Sequence, residues 1–198
     1  MAYEGVIKFK YVCEDNRFRI PGDAFDIINP VRLLLKEKDY VGQYPDGISY
    51  GNVSIRDNES NEFYITASDT GKLVYTEPEN YVKVVDCDLV NNLCRYKGRA
   101  LPSSESLSHY IIYTYCADVK AVVHIHNKEL WLKLKKKVPT TSASVAYGTI
   151  EMVNEIINLM QNTNLKNEKI VVMGGHEDGL ISFGSSIEEA LNNFFILP

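Results

Sequence analysis

The stretch Ala121-Val122-Val123-His124-Ile125-His126-Asn127 constrains this chain more than any other. Its apolar, β-branched run reads as a buried strand. Side chains alternate along a strand, so His124 and His126 project from one face, about 7 Å apart. Such a pair is either two polar residues on a half-exposed strand or two ligands gripping one metal ion. The second reading needs further donors.

The chain has four histidines, His109, His124, His126 and His176. His176 lies in Met173-Gly174-Gly175-His176-Glu177-Asp178-Gly179, directly after an apolar run, and glycine-bracketed strand ends commonly carry ligands. His124, His126 and His176 with one open position make a catalytic zinc donor set. His109, four residues after Glu105 on an expected helix, reads as a hydrogen-bonded structural histidine.

Ser103-Ser104-Glu105 opens that helix. Free N–H groups and the helix dipole there favour an anion such as phosphate, and Glu105 suits a base beside a metal. The same residues also suit a plain N-cap, with Ser104 as the capping residue. Gly51-Asn52 and Thr70-Gly71 are either turn chemistry or a cradle in which backbone N–H groups approach phosphate closely. Lys133, Lys135, Lys136 and Lys137 read as a solvated helix face.

The remaining pattern alternates hairpins with helices. Strands are expected over Val6–Val12, Gly51–Arg56, Phe63–Thr66, Tyr81–Asp86, Cys94–Lys97, Val119–His126, Lys169–Met173 and Leu180–Phe183. Helices are expected from Phe25 to Lys38 (or from Asn29-Pro30), Glu105 to Tyr115, Glu129 to Lys137, from Tyr147-Gly148-Thr149 onward, and after the capping box Ser186-Ile187-Glu188-Glu189. Gln43 to Gly51 reads as loop. This order predicts one layered α/β domain spanning 1–198.

Of 198 residues, 45% are hydrophobic and 24% charged, ordinary values for a globular chain. A net charge of −5 argues against a nucleic-acid partner. No run approaches the roughly 20 apolar residues of a membrane-crossing helix, and Met1-Ala2-Tyr3-Glu4 has no signal layout, so the expected location is cytoplasmic. The four cysteines lack C-x-x-C spacing and read as free, mostly buried thiols.

Taken in order, Gly51-Asn52-Val53-Ser54-Ile55-Arg56, Ile65-Thr66 with Thr70-Gly71, Leu101-Pro102-Ser103-Ser104-Glu105 with His109, the H-x-H strand, and His176 before Gly179-Leu180-Ile181 resemble the class II aldolase and adducin family. That family includes sugar-phosphate aldolases such as L-fuculose-1-phosphate aldolase, a 4-epimerase, a methylthioribulose-1-phosphate dehydratase and non-catalytic adducin-like modules. The resemblance implies a three-layer α/β/α sandwich around a mainly antiparallel sheet, assembled as a homotetramer with sites at subunit interfaces. It implies zinc on His124, His126 and His176, Glu105 as catalytic acid/base, and a phosphate cradle of Gly51, Asn52, Thr70, Gly71, Ser103 and Ser104. The implied reaction is aldol cleavage or condensation of a ketose phosphate through a metal-stabilised enediolate. Glu105, where the epimerase branch carries Asp, favours an aldolase or dehydratase.

Three departures from the family pattern stand out. The segment after His126 is short, and the family's tyrosine acid has only Tyr113 or Tyr147 as candidates. Glu177-Asp178 follow His176, and either carboxylate is a candidate to join the site. The loop Ala67-Ser68-Asp69 offers Ser68 as an alternative to Thr70 in contacting phosphate.

Overall fold

The structure is a computed structural model describing residues 7–58 and 60–196. In chain order the elements are β1 (Lys10–Asp15), α1 (Gly22–Glu37), β2 (Gly42–Gln43), β3 (Ser49–Tyr50), β4 (Asn52–Arg56), β5 (Phe63–Thr66), β6 (Tyr81–Asp88), β7 (Leu93–Lys97) and α2 (Ser106–Tyr115). There follow β8 (Ala121–His126), α3 (Lys128–Leu134), α4 (Ile150–Asn162), α5 (Leu165–Glu168), β9 (Ile170–Val172), β10 (Gly179–Gly184) and α6 (Ile187–Ile196). A short 3₁₀ turn, Pro78–Asn80, precedes β6.

Eight strands form one sheet in the order β1-β7-β6-β5-β4-β8-β10-β9. Every pairing in it is antiparallel except β1 with β7. Strand alternation sorts the apolar residues into two cores. Phe63, Ile65, Val82, Val122, Ile181 and Phe183 pack with Leu107 and Ile111 of α2 and Met152 and Ile156 of α4. Val53, Ile55, Val123, Ile125 and Leu180 face the other way, against Ile28 and Leu35 of α1, Trp131 of α3 and Phe194 of α6. The result is the three-layer α/β/α arrangement with a mainly antiparallel sheet.

Several local expectations are corrected. The strand expected over Val6–Val12 starts at Lys10 and runs on to Asp15; Val6 lies outside the described residues. Helix α1 does not start at Asn29-Pro30 but runs through Pro30 from Gly22. An interior proline costs about 3 kcal/mol. Ile28 and Leu35, both fully buried, each return roughly 2 kcal/mol of burial, and together offset it. The segment expected as loop between Gln43 and Gly51 contains the small β2–β3 hairpin. Helix α2 begins at Ser106, and the Ser103 hydroxyl, not Ser104, accepts the N–H of Glu105 at 3.4 Å. Ser186 does cap α6 by accepting the Glu189 N–H, but the Glu189 carboxylate returns to Ser185 rather than Ser186.

Strands β4 and β8 are neighbours in the interior of the sheet, and apart from Val122 their α2-facing sides are polar. Ser54 bonds His109 Nδ1 at 2.7 Å and the Tyr113 hydroxyl at 2.8 Å. The Arg56 guanidinium donates to the carbonyls of Tyr113 and Cys116 at the end of α2 and to that of Val119. Cys87, Cys94 and Cys116 are buried free thiols and Cys13 is exposed. Among the described residues no helix is long and apolar enough to cross a membrane.

Candidate metal centre

His124 and His126 share the face of β8 that carries Val122 into the α2–α4 core. His176 arrives from the turn between β9 and β10. Its N–H donates to the Met173 carbonyl at 3.1 Å, and its carbonyl accepts the Gly179 N–H at 3.0 Å. Asn127 N–H donates to Asp178 O at 2.8 Å, tying this turn to the end of β8. Gly179 is needed beneath the ring, because a Cβ there would lie 2.2 Å from His176 Cδ2.

The three imidazoles converge on their Nε2 atoms. His126 Nε2 lies 3.2 Å from that of His124 and 2.9 Å from that of His176. Zinc–nitrogen bonds of about 2.0–2.1 Å at tetrahedral angles put neighbouring donors roughly 3.3 Å apart, so the spacing fits one cation. His124 Nδ1 donates to Leu180 O at 3.0 Å, which leaves its Nε2 a lone pair. Burial holds the rings neutral, the form that ligates: His124 is lowered to about 4, and His126 and His176 fall well below the usual value, with neighbouring histidines adding to the effect.

Beside the triad is a cavity of about 250 Å³ whose walls include Gly51, Asn52, Thr70, Gly71, Ser103, Ser104, Glu105, His124, His126 and His176. The sequence-predicted site residues therefore share one chamber. Glu105 is 2% exposed. Burial raises its carboxyl to about 7, against the opposing pull of the Ser108 hydroxyl and Lys8. Its Oε2 accepts from Ser108 at 2.7 Å, while Oε1 is buried and has no hydrogen-bond partner among the described residues. Asn52 Oδ1, one strand over from His124 in register, is likewise buried and without a partner among the described residues. Such orphaned atoms on a cavity wall suit a chamber built to receive a polar ligand.

The part of the chamber wall at Gly51 and Gly71 is built from close backbone approaches. Gly51 has φ +74°, and a Cβ there would lie 2.7 Å from Val41 Cγ2. At Gly71 a Cβ would lie 2.1 Å from Gly42 O. Two residues of α1 that the sequence reading missed support this loop. Arg32, fully buried, donates to the carbonyls of Val74 and Thr70, each at 2.7 Å, and to that of Leu73. Lys36 donates to Gly71 O at 2.8 Å. The available signal was Arg32's position in line with the apolar stripe of Ala24, Ile28 and Leu35. The Thr70 hydroxyl donates within the loop, to Ala67 O at 2.8 Å, and Ser68 also lines the chamber.

The other candidates separate cleanly. Tyr147 lines the cavity, with its ring 4.6 Å from that of His176 and Lys8 Nζ 3.4 Å from its centroid. Tyr113 is fully buried in the α2 core. Glu177 is exposed and paired with Lys128 at 2.8 Å. Glu177 and Asp178 line a second, more open groove beyond Tyr147 and His176, not the chamber. His109 of α2 bonds Ser54 within the core and does not line the chamber. The lysines after Leu132 also lie off the chamber walls. Tyr44 and Tyr50 of the β2–β3 hairpin, unforeseen from sequence, flank His126 with ring centroids at 5.9 Å and 5.1 Å.

The family model described as Class II Aldolase and Adducin N-terminal domain matches residues 45–197. Among solved structures, an L-fuculose 1-phosphate aldolase superposes with a TM-score of 0.63 at 21% identity, covering 89% of this chain and 82% of its own. The L-fuculose-1-phosphate aldolase from Thermus thermophilus gives 0.61 at 16% identity, with 88% of each chain covered. A sugar-phosphate aldolase from Thermotoga maritima gives 0.58 at 19% identity, covering 84% of this chain and 87% of that one. At such identities these three are likenesses of fold. The family match, however, spans most of the chain, and both the triad and the glycine-lined loops fall inside it, so the chain belongs to the class II aldolase and adducin family.

Proposed function

We propose that this protein is a metal-dependent lyase that cleaves, and in reverse condenses, a carbon–carbon bond of a ketose phosphate. The observation that carries the reading is the sharing of one chamber by three convergent Nε2 atoms and a buried carboxyl near neutrality. His124, His126 and His176 would hold the cation, and an all-nitrogen donor set with an open position suits zinc. When bound, the cation supplies Lewis-acid polarisation of a substrate carbonyl.

The chain's own residues do the rest. Asn52, Ser68, Ser103 and Ser104, with the backbone N–H groups at Gly51 and Gly71, hold the phosphate and thereby orient the sugar. Thr70 shapes the loop. Glu105 moves a proton at the carbon next to the carbonyl, and a carboxyl near pH 7 can both give and take it. Tyr147, which lines the chamber, rather than the core residue Tyr113, would transfer the proton at the alcohol oxygen. Assembly as a homotetramer and a cytoplasmic location belong to the same proposal, and light scattering on the purified protein checks the first.

The test is metal analysis followed by product analysis with a panel of ketose phosphates. Stoichiometric zinc and release of an aldehyde plus dihydroxyacetone phosphate, lost in Glu105→Gln, support the lyase. A single dehydrated product would reassign the site as a dehydratase, and an inverted stereocentre would make it an epimerase. Unchanged metal content after alanine at both His124 and His126 would favour a non-catalytic adducin-like module.

A further inference from the structure

We propose that Tyr44 is a positioning residue for the metal centre: its hydroxyl accepts the Nδ1–H of His126, fixing that imidazole's tautomer and aiming its Nε2 at the cation. The inference rests on the reading of the three histidines as ligands.

The geometry is specific. Tyr44 Oη lies 2.8 Å from His126 Nδ1. On the other side of the same ring, Nε2 faces both His124 and His176. A ring that binds a cation through Nε2 must carry its proton on Nδ1, and that proton needs an acceptor. For His124 the acceptor is a backbone carbonyl, Leu180 O. For His126 it is a side chain, brought in by a separate element.

That element is built to hold the phenol in place. Tyr44 N–H donates to Ile48 O at 2.8 Å, Gly47 N–H returns to Tyr44 O at 2.9 Å, and Gly47 has φ +91°. The Tyr44 ring packs on Tyr50 at 4.5 Å, and the Tyr50 ring lies 5.1 Å from His126. Gly42 makes room for this, because a Cβ there would lie 2.4 Å from Tyr50 Oη. At its far side the hairpin is tied to the loop before Thr70, Ser49 Oγ donating to Asp69 Oδ1 at 3.0 Å. The hydroxyl position is thus set by the hairpin and not only by its contact with His126. Ring packing and hydrogen bonding are also separable: phenylalanine keeps the first and removes the second.

The experiment compares wild type with Tyr44→Phe. Zinc dissociation constants are measured by competition with a chromophoric chelator, ligand-field absorption is recorded with cobalt(II), and thermal midpoints are taken on chelated protein. The expected result is zinc affinity weakened roughly 10- to 100-fold, an altered cobalt spectrum, and a metal-free midpoint close to wild type. Equal zinc affinity in the two proteins overturns the proposal while leaving the metal centre standing. A wild-type protein that takes up no metal overturns the ligand reading and this proposal with it. A metal-free midpoint that falls as steeply as the affinity makes Tyr44 a packing residue, which also overturns it.

Discussion

Glu105 carries its carboxyl at about 7 because burial disfavours the charged form. In metal-free protein the sign of the linkage is definite. The folded state keeps the Glu105 proton up to about pH 7, whereas the unfolded state releases it near 4.5. Between those values the unfolded state binds fewer protons, so this group's contribution to stability is full below 4.5 and falls as pH rises. Removing the titration with Glu105→Gln should therefore make the variant gain on wild type as pH rises from 4.5 to 7, by at most about 1.4 kcal/mol per unit. Paired urea titrations of chelated proteins read this difference, and parallel pH curves would contradict it. Using the difference cancels the opposite trend of the depressed histidines, which destabilise as pH falls below 6.5. Gly179 gives a second residue-scale expectation. A methyl group there meets His176 Cδ2 at 2.2 Å, so the ring must move. Gly179→Ala should weaken zinc binding on the order of tenfold or more with secondary structure retained, checked by chelator competition and circular dichroism.

At the scale of elements, α1 acts as the support of the Thr70–Val74 loop. Arg32 satisfies three carbonyls of the segment Thr70–Val74 from a fully buried position. Arg32→Met removes those donors and leaves buried acceptors unsatisfied, so it should cost roughly 3 kcal/mol or more, read by urea unfolding. A loss below about 1 kcal/mol would show that water replaces the guanidinium. The same helix shows what sequence can and cannot reveal. His124 and His126 were legible because a two-residue period dictates a shared face, and His176 because glycines bracket its turn. Arg32 was not, because its partners lie 38 to 42 positions away and no local period encodes them. The Tyr44 hairpin was hidden by composition: Gly, Pro and Asp between Gln43 and Gly51 mimic a structureless loop. The expectation of Ser104 rather than Ser103 as the capping serine failed for a third reason, a one-residue shift in cap geometry that neighbouring serines cannot signal.

At the scale of the molecule, the candidate site is distributed over the centre of the sheet. Asn52 of β4 pairs with His124 of β8, and Gly179 of β10 pairs with His126. The three histidines thus come together only when strands more than 50 residues apart in sequence have already registered. Closing such loops carries its entropic cost before any coordinate bond can form. A cation cannot nucleate this fold as it nucleates a zinc finger, where local ligands meet early. Metal should act instead as a clasp fastened after folding. Added zinc at 100 times its dissociation constant would stabilise the native state by about 2.7 kcal/mol, and chelation should lower the thermal midpoint by roughly 5–10 °C. Stopped-flow refolding should run at the same rate with or without zinc, and only unfolding should slow. A cell starved of metal would then accumulate folded, empty protein that a returning ion can activate without refolding.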